Sequence, residues 1–222
     1  MVSLSSIIDR RQRALMAKWV NDPLIPVLVE STAALKGLVF LDVDTRGASV
    51  GPIGRRASAK CAMVRGGPDM DSSWSVWVAA DYEDYRGAYS AFLRAAYGIK
   101  ADPAQLAAYD IDHLLNKARA PKPSTFVRIE AVTSEANQAW GGVFEKPASD
   151  PRFTANTTRE RRTMSYMICA KLAGLMPPKG REDLGGIERL VTFFRNNGIN
   201  DREARDGINN MMSFAFKFKE DA

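Results

Sequence analysis

Apolar residues recur at helical spacing over 3–20, where Leu4, Ile8, Leu15 and Trp19 share one side and Arg10, Arg11 and Arg13 form a basic cluster. Steps of three and four residues bring side chains onto one face of a 3.6-residue helix, so the segment predicts a helix. Pro23 and Pro26 interrupt the pattern, since proline lacks the N–H that a helix interior needs. A short second helix is predicted over 27–35. The run Gly37-Leu38-Val39-Phe40-Leu41-Asp42-Val43 reads as a buried strand. Gly47, Gly51, Pro52 and Gly54 predict loop over 45–58. Strands are expected over 60–64 and 74–80, with Gly66-Gly67-Pro68-Asp69 turning between them.

After Asp81 the spacing turns helical again, through Tyr85, Tyr89, Phe92, Leu93 and Ala96, with Gly98 as the cap. A short helix can start at Asp102-Pro103. Tyr109-Asp110-Ile111-Asp112-His113-Leu114-Leu115 is the next apolar run. Pro121 and Pro123 mark a loop over 119–125, a second strand follows over 126–132, and Thr133 or Ser134 caps a helix to about Trp140. The last third predicts three helices, roughly 157–174, 181–197 and 201–218. Met167, Ile168, Leu172 and Leu175 form the stripe of the first, and Ile187, Leu190, Val191 and Phe194 that of the second. The expected class is α+β, with regions 1–100, 101–150 and 151–222 packed as one compact unit.

Composition changes this picture little. A chain of 222 residues can bury a full core without staples. The balance of 31 Lys+Arg against 26 Asp+Glu gives +5 and favours polyanionic partners weakly. Cys61 and Cys169 lack the spacing of a disulfide framework or zinc site, so two buried thiols are expected. Residues 1–11 lack the layout of a signal peptide and no apolar run approaches the ~20 residues of a membrane span. The expected location is the cytoplasm, or outside the cell by a route that reads no signal peptide.

His113 is the single histidine, and Asn137 follows 24 positions later in Thr133-Ser134-Glu135-Ala136-Asn137-Gln138. An imidazole titrates near neutral pH and can serve as general base. Asp112 precedes it, and adjacent strand residues point to opposite faces, so the pair makes sense at a strand terminus or kink. There Asp112 can turn to a hard cation, and Asn137 can add a neutral oxygen ligand.

Asp112-His113, the strand Phe126-Val127-Arg128-Ile129-Glu130-Ala131-Val132 and the helix bearing Asn137 resemble the HNH, or ββα-metal, endonuclease superfamily over residues 109–146. The likeness is nearest to the variants in RNA-guided CRISPR nucleases. It implies a ββα-metal core embedded in a largely helical frame, and metal-dependent cleavage of DNA. His113 would be the general base, with Asp112 and Asn137 holding Mg²⁺ or Mn²⁺. The family's middle position, often Asn, falls here to Asn116 or Glu130, and zinc-ribbon cysteines are missing. A toxin-like effector or mobile-element nuclease is the form implied, the toxin with an acidic inhibitor or immunity protein as partner.

Charge adds to the reading. Residues 112–162 hold nine Lys or Arg and six Asp or Glu. Arg119, Lys122 and Arg128 lie beside the expected site in sequence, and Arg159, Arg161 and Arg162 cluster at an expected helix start. Cations there oppose the helix dipole and are better explained by phosphate. The alternative is a non-catalytic interaction or adaptor protein on an HNH-like scaffold. A third option is a phosphatase, because Val39-Phe40-Leu41-Asp42-Val43-Asp44-Thr45 resembles the first motif of haloacid-dehalogenase-like enzymes, with Asp42 as nucleophile. Arg46 stands where that motif needs Thr or Val. Gly51-Pro52-Ile53-Gly54-Arg55-Arg56 is not a P-loop, and a Gly-x-Ser-x-Gly elbow is missing.

Overall fold

The computed structural model describes residues 3–41, 49–102, 104–146, 149 and 162–220, with side chains of 38–41 and 217–220 left aside. The described chain runs α1 (Leu4–Asn21), β1 (Pro26–Val29), α2 (Thr32–Leu41), β2 (Ser49–Pro52), β3 (Cys61–Arg65), α3 (Met70–Ser73), β4 (Ser75–Ala79), α4 (Tyr85–Tyr97), β5 (Tyr109–His113), β6 (Phe126–Thr133), α5 (Ser134–Trp140), β7 (Arg162–Thr163), α6 (Tyr166–Leu172), α7 (Leu184–Asn196) and α8 (Asp201–Glu220). The class is α+β.

The sheet is organised by β6. Its sequence, Phe126-Val127-Arg128-Ile129-Glu130-Ala131-Val132-Thr133, is buried at all but the last position. Such a strand needs partners along both edges, because a buried backbone amide without one is costly. Strand order is β2-β3-β4-β6-β1-β7, with β5 also paired to β6. Along one edge of β6 the neighbour changes from β1 to β5. Val127 faces Val78 of β4 and Leu28 of β1, whereas Glu130 faces Asp112 and Ile129 faces His113 of β5. All the pairings are antiparallel.

Helices cover this sheet with three apolar clusters. Leu15 and Trp19 of α1 join Val127, Trp140, Phe144, Ile168, Phe194 and Ile208. Ile7 and Ile8, from the first half of α1, join Val76, Tyr89, Phe92, Ile111 and Ile129. Leu35 of α2 packs with Val29, Trp77 and Phe126. One helix, α1, therefore serves two clusters. Cys61 and Cys169 are buried and free. Among the described residues no helix is long and apolar enough to cross a membrane.

Several expected elements stand as read, including α1, α4 with Gly98 in the left-handed region, β5, β6 and the helix after Thr133. Others differ. The expected helix over 27–35 and strand over 37–43 exchange places: Pro26–Val29 is the strand and Thr32–Leu41 the helix. Val27, Leu28 and Val29 gain a place beside β6, and Ser31 receives the Ala34 N–H, closing the helix start at 3.2 Å. Short apolar runs do not separate the two states by period. Gly51 and Pro52 lie in β2, on an edge strand that tolerates proline. Arg162 lies in β7 rather than at a helix start, and the helix there is Tyr166–Leu172.

Candidate functional site

The expected site residues gather where β5 ends and α5 begins. β5 leaves β6 at His113, after Leu114 gives its N–H to the Arg128 carbonyl at 2.9 Å. The chain then turns through Asn116, whose side-chain oxygen accepts from the Ala118 N–H at 2.9 Å. Of the two residues left open for the middle position, Asn116 braces this loop, and Glu130 is committed to the interior. At the other end of the hairpin the Thr133 hydroxyl accepts from the Ala136 N–H and starts α5.

His113 is 7% exposed and its ring lies 4.9 Å from that of Tyr85 on α4. Its Nε2 is buried and has no hydrogen-bond partner among the described residues. Burial pushes its pKa down to about 4, and the positive charges of Lys117 and Lys171 push the same way. The imidazole is therefore neutral at physiological pH.

Asp112 faces a different partner. Lys171, on α6, is 1% exposed. Its Nζ lies 2.5 Å from Asp112 Oδ2 and 2.6 Å from Glu145 Oε1. The tie between Lys171 and Asp112 is an ion pair at close range. Burial raises the Asp112 carboxyl to about 6, with Lys171 opposing and Glu145 adding to the rise. Burial works against the Lys171 charge, but Asp112 and Glu145 overcome it and hold the ammonium above its usual pKa. Glu145 arrives through a wider π-type turn, Gly141–Glu145, that continues α5. Such turns rotate the following residues relative to an α-helix and recur at functional sites.

Asn137 takes neither role in this pair. Its amide Nδ2 donates to Asp110 Oδ2 at 3.0 Å, and Arg86 binds the other oxygen of Asp110 at 3.0 Å. Asp112 and Asn137 thus serve separate partners.

The expected phosphate-gripping residues divide. Arg119 is half-buried, and its pKa is lowered by burial and by the nearby Arg162, with Glu145 opposing. Arg119, Arg162 and Glu145 therefore share one neighbourhood, which the Glu145–Lys171 contact joins to Asp112. Lys122 is exposed in the loop before β6. Arg128 is a correction. It is 4% exposed and binds Glu130 through Nε and Nη2 at 3.3 and 2.9 Å, so it faces the interior. Arg159, Arg161 and Asp42 lie outside the described residues.

Sequence reasoning missed Lys171, Glu145, Asp110, Arg86 and Lys117. One signal was present for Lys171. It falls on the apolar stripe of α6, three residues after Ile168, and a charge on a buried stripe requires a buried partner. No protein-family model, curated protein or solved structure matches the chain.

Proposed function

We propose that this protein is a nuclease that hydrolyses phosphodiester bonds of DNA, with His113 as general base. The observation that carries the reading is the buried His113 Nε2, without a hydrogen-bond partner among the described residues, on a ring that burial holds neutral. A neutral imidazole can take a proton from an attacking water. The exposed Lys117 near the imidazole favours an anionic substrate, and the half-buried Arg119 in the same turn is a second cation for phosphate oxygens as charge builds on them. The strand–strand–helix order of β5, β6 and α5 agrees with the HNH resemblance.

That resemblance also implies Mg²⁺ or Mn²⁺ on Asp112 and Asn137. Those two residues do not fit a shared ion with their side chains as they stand. The Lys171 ammonium contacts one oxygen of the Asp112 carboxylate, and Asn137 is turned to Asp110. Among the described residues no group of three His, Cys, Asp or Glu side chains is arranged to hold a metal. The internal pairing of Asp112 and Asn137 also favours a second reading, a non-catalytic interaction protein on the same scaffold.

Incubation of the purified chain with plasmid DNA and with RNA, with and without Mg²⁺ or Mn²⁺, separates the two. The wild type is expected to nick plasmid. His113→Ala should lower the rate by roughly 10²–10⁴-fold if the imidazole is the base, with an unchanged circular dichroism spectrum. Wild-type rates in the folded variant would remove His113 from the chemistry. No cleavage of either nucleic acid under any of these conditions would leave the non-catalytic reading.

A further inference from the structure

The position between Asp112 and Glu145 is where oxygen ligands converge, and a side chain already fills it. Lys171 Nζ lies 2.5 Å from one carboxylate and 2.6 Å from the other. Mg²⁺ bonds to oxygen at about 2.0–2.1 Å and needs several oxygens around it, so a divalent ion and the ammonium cannot share this space. The lysine is also anchored. Its neighbours Ile168, Cys169, Ala170 and Leu172 are all buried in the core, and the Ser165 hydroxyl caps the start of α6. The side chain is 2% exposed, so the ammonium is enclosed together with its stem. Glu145 is brought in by the π-type turn, and Asp112 by the register of β5 against β6. Two separate elements therefore converge on an ammonium that a third supplies.

We infer that Lys171 is a built-in cation that takes the place of a divalent metal at this site, so the protein takes up no Mg²⁺ or Mn²⁺ between Asp112 and Glu145. The inference deepens the nuclease proposal and, for its catalytic consequence, rests on it. Lys171 then acts as a positioning residue. It fixes Asp112 and Glu145. The phosphate is met by exposed or half-exposed cations such as Lys117 and Arg119. Cleavage, where it occurs, needs no added metal.

The test uses Mn²⁺ itself as probe, read by electron paramagnetic resonance of the free ion, with the full chain and no nucleic acid. Wild type should leave the Mn²⁺ signal unchanged. Lys171→Ala opens the space between two carboxylates and should take up one equivalent of Mn²⁺, which a second change, Asp112→Asn, abolishes. Lys171→Asn, which keeps a polar group in place, is the companion variant should Lys171→Ala fail to fold. Uptake of Mn²⁺ by wild type that Asp112→Asn removes would overturn the inference. So would a folded Lys171 variant that binds none, because the lysine would then not be what excludes the ion. If neither variant folds, the wild-type result alone supports or overturns it. A plasmid assay in EDTA adds the catalytic arm: persistent nicking supports the inference and loss of nicking overturns it. Mn²⁺ uptake is read without substrate, so an inactive protein counts against the nuclease reading and leaves the cation result standing.

Discussion

His113 owes its state to two causes that act in one direction. Burial withdraws water from the imidazolium, and Lys117 and Lys171 oppose a further positive charge. With a single histidine in the chain, its ring C–H resonances can be followed by NMR without assignment. A titration midpoint near 4 is expected, and Lys171→Met should raise it. A wild-type midpoint at the unperturbed 6.5 would mean that the ring is solvated. The shift has a consequence for stability. The folded pKa lies below the unfolded one, so the unfolded chain binds the extra proton between them, and the contribution is present above pH 6.5 and lost as pH falls toward 4. Asp112 acts oppositely. Its raised folded pKa contributes stability below 3.8 that is lost as pH rises through about 6. His113→Gln should therefore move acid unfolding to lower pH. The sequence placed Asp112 and His113 at a strand end, where β5 does end, but their partners come from other elements, Lys171 of α6 and Tyr85 of α4.

At the scale of elements, α5 links the hairpin to the lysine. The Thr133 side chain satisfies one of the amides left open at its start. Thr133→Ala is expected to cost about 1 kcal/mol and Thr133→Ser only a small part of that, read as a shift of the urea midpoint at constant slope. A loss within error for Thr133→Ala would mean that packing of Ala136 and Trp140 alone holds the helix. The Trp140 indole N–H donates to the Leu175 carbonyl at 2.6 Å, tying α5 to the loop after α6. Long periodic segments and caps were legible: α1, α4 and α7 follow their apolar stripes. The π-type turn was not, because no residue type in Gly141–Glu145 demands it, and it forms where Phe144 reaches the core and Glu145 reaches Lys171. The exchange of helix and strand between 26 and 41 has a similar cause. Both stretches are apolar, and only pairing with β6 selects which becomes the strand.

Across the whole molecule, a buried ionic group ties α1 to the sheet. Arg11 donates to Glu130 through Nε and Nη2 at 3.3 and 2.7 Å, to the Met70 and Trp74 carbonyls at 3.2 and 3.1 Å, and to the Tyr97 hydroxyl at 3.1 Å. Its guanidinium also lies 4.6 Å from the centre of the Phe92 ring. Burial works against its charge, yet Glu130 with Tyr89 and Tyr97 holds it well above its usual pKa. Burial likewise opposes the Glu130 charge, and Arg11 and Arg128 overcome it and lower that pKa. Removing one member leaves a buried charge unmatched, so Glu130→Leu should cost about 3–5 kcal/mol. At roughly 2–4 °C per kcal/mol for a chain of this size, the melting temperature should fall by several degrees at least. Replacing Arg11, Arg128 and Glu130 together by Met or Leu should recover much of the loss. A single variant as stable as wild type would show the group to be solvated.

The sequence by itself determined the helices with strong apolar periods, the two strands within 109–133, and the capped helix after them, because each depends on neighbours within a few positions. Only the tertiary structure decided what those residues meet. Arg128 reads as a surface cation in a basic stretch, but β6 is central and turns it onto Glu130. Asp112 reads as a metal ligand, but Lys171 arrives from a helix 59 positions later and takes its oxygen. Charge at a position is local information. Whether that charge is solvated, paired or buried is set by which distant element packs over it, and that is fixed only when the core closes.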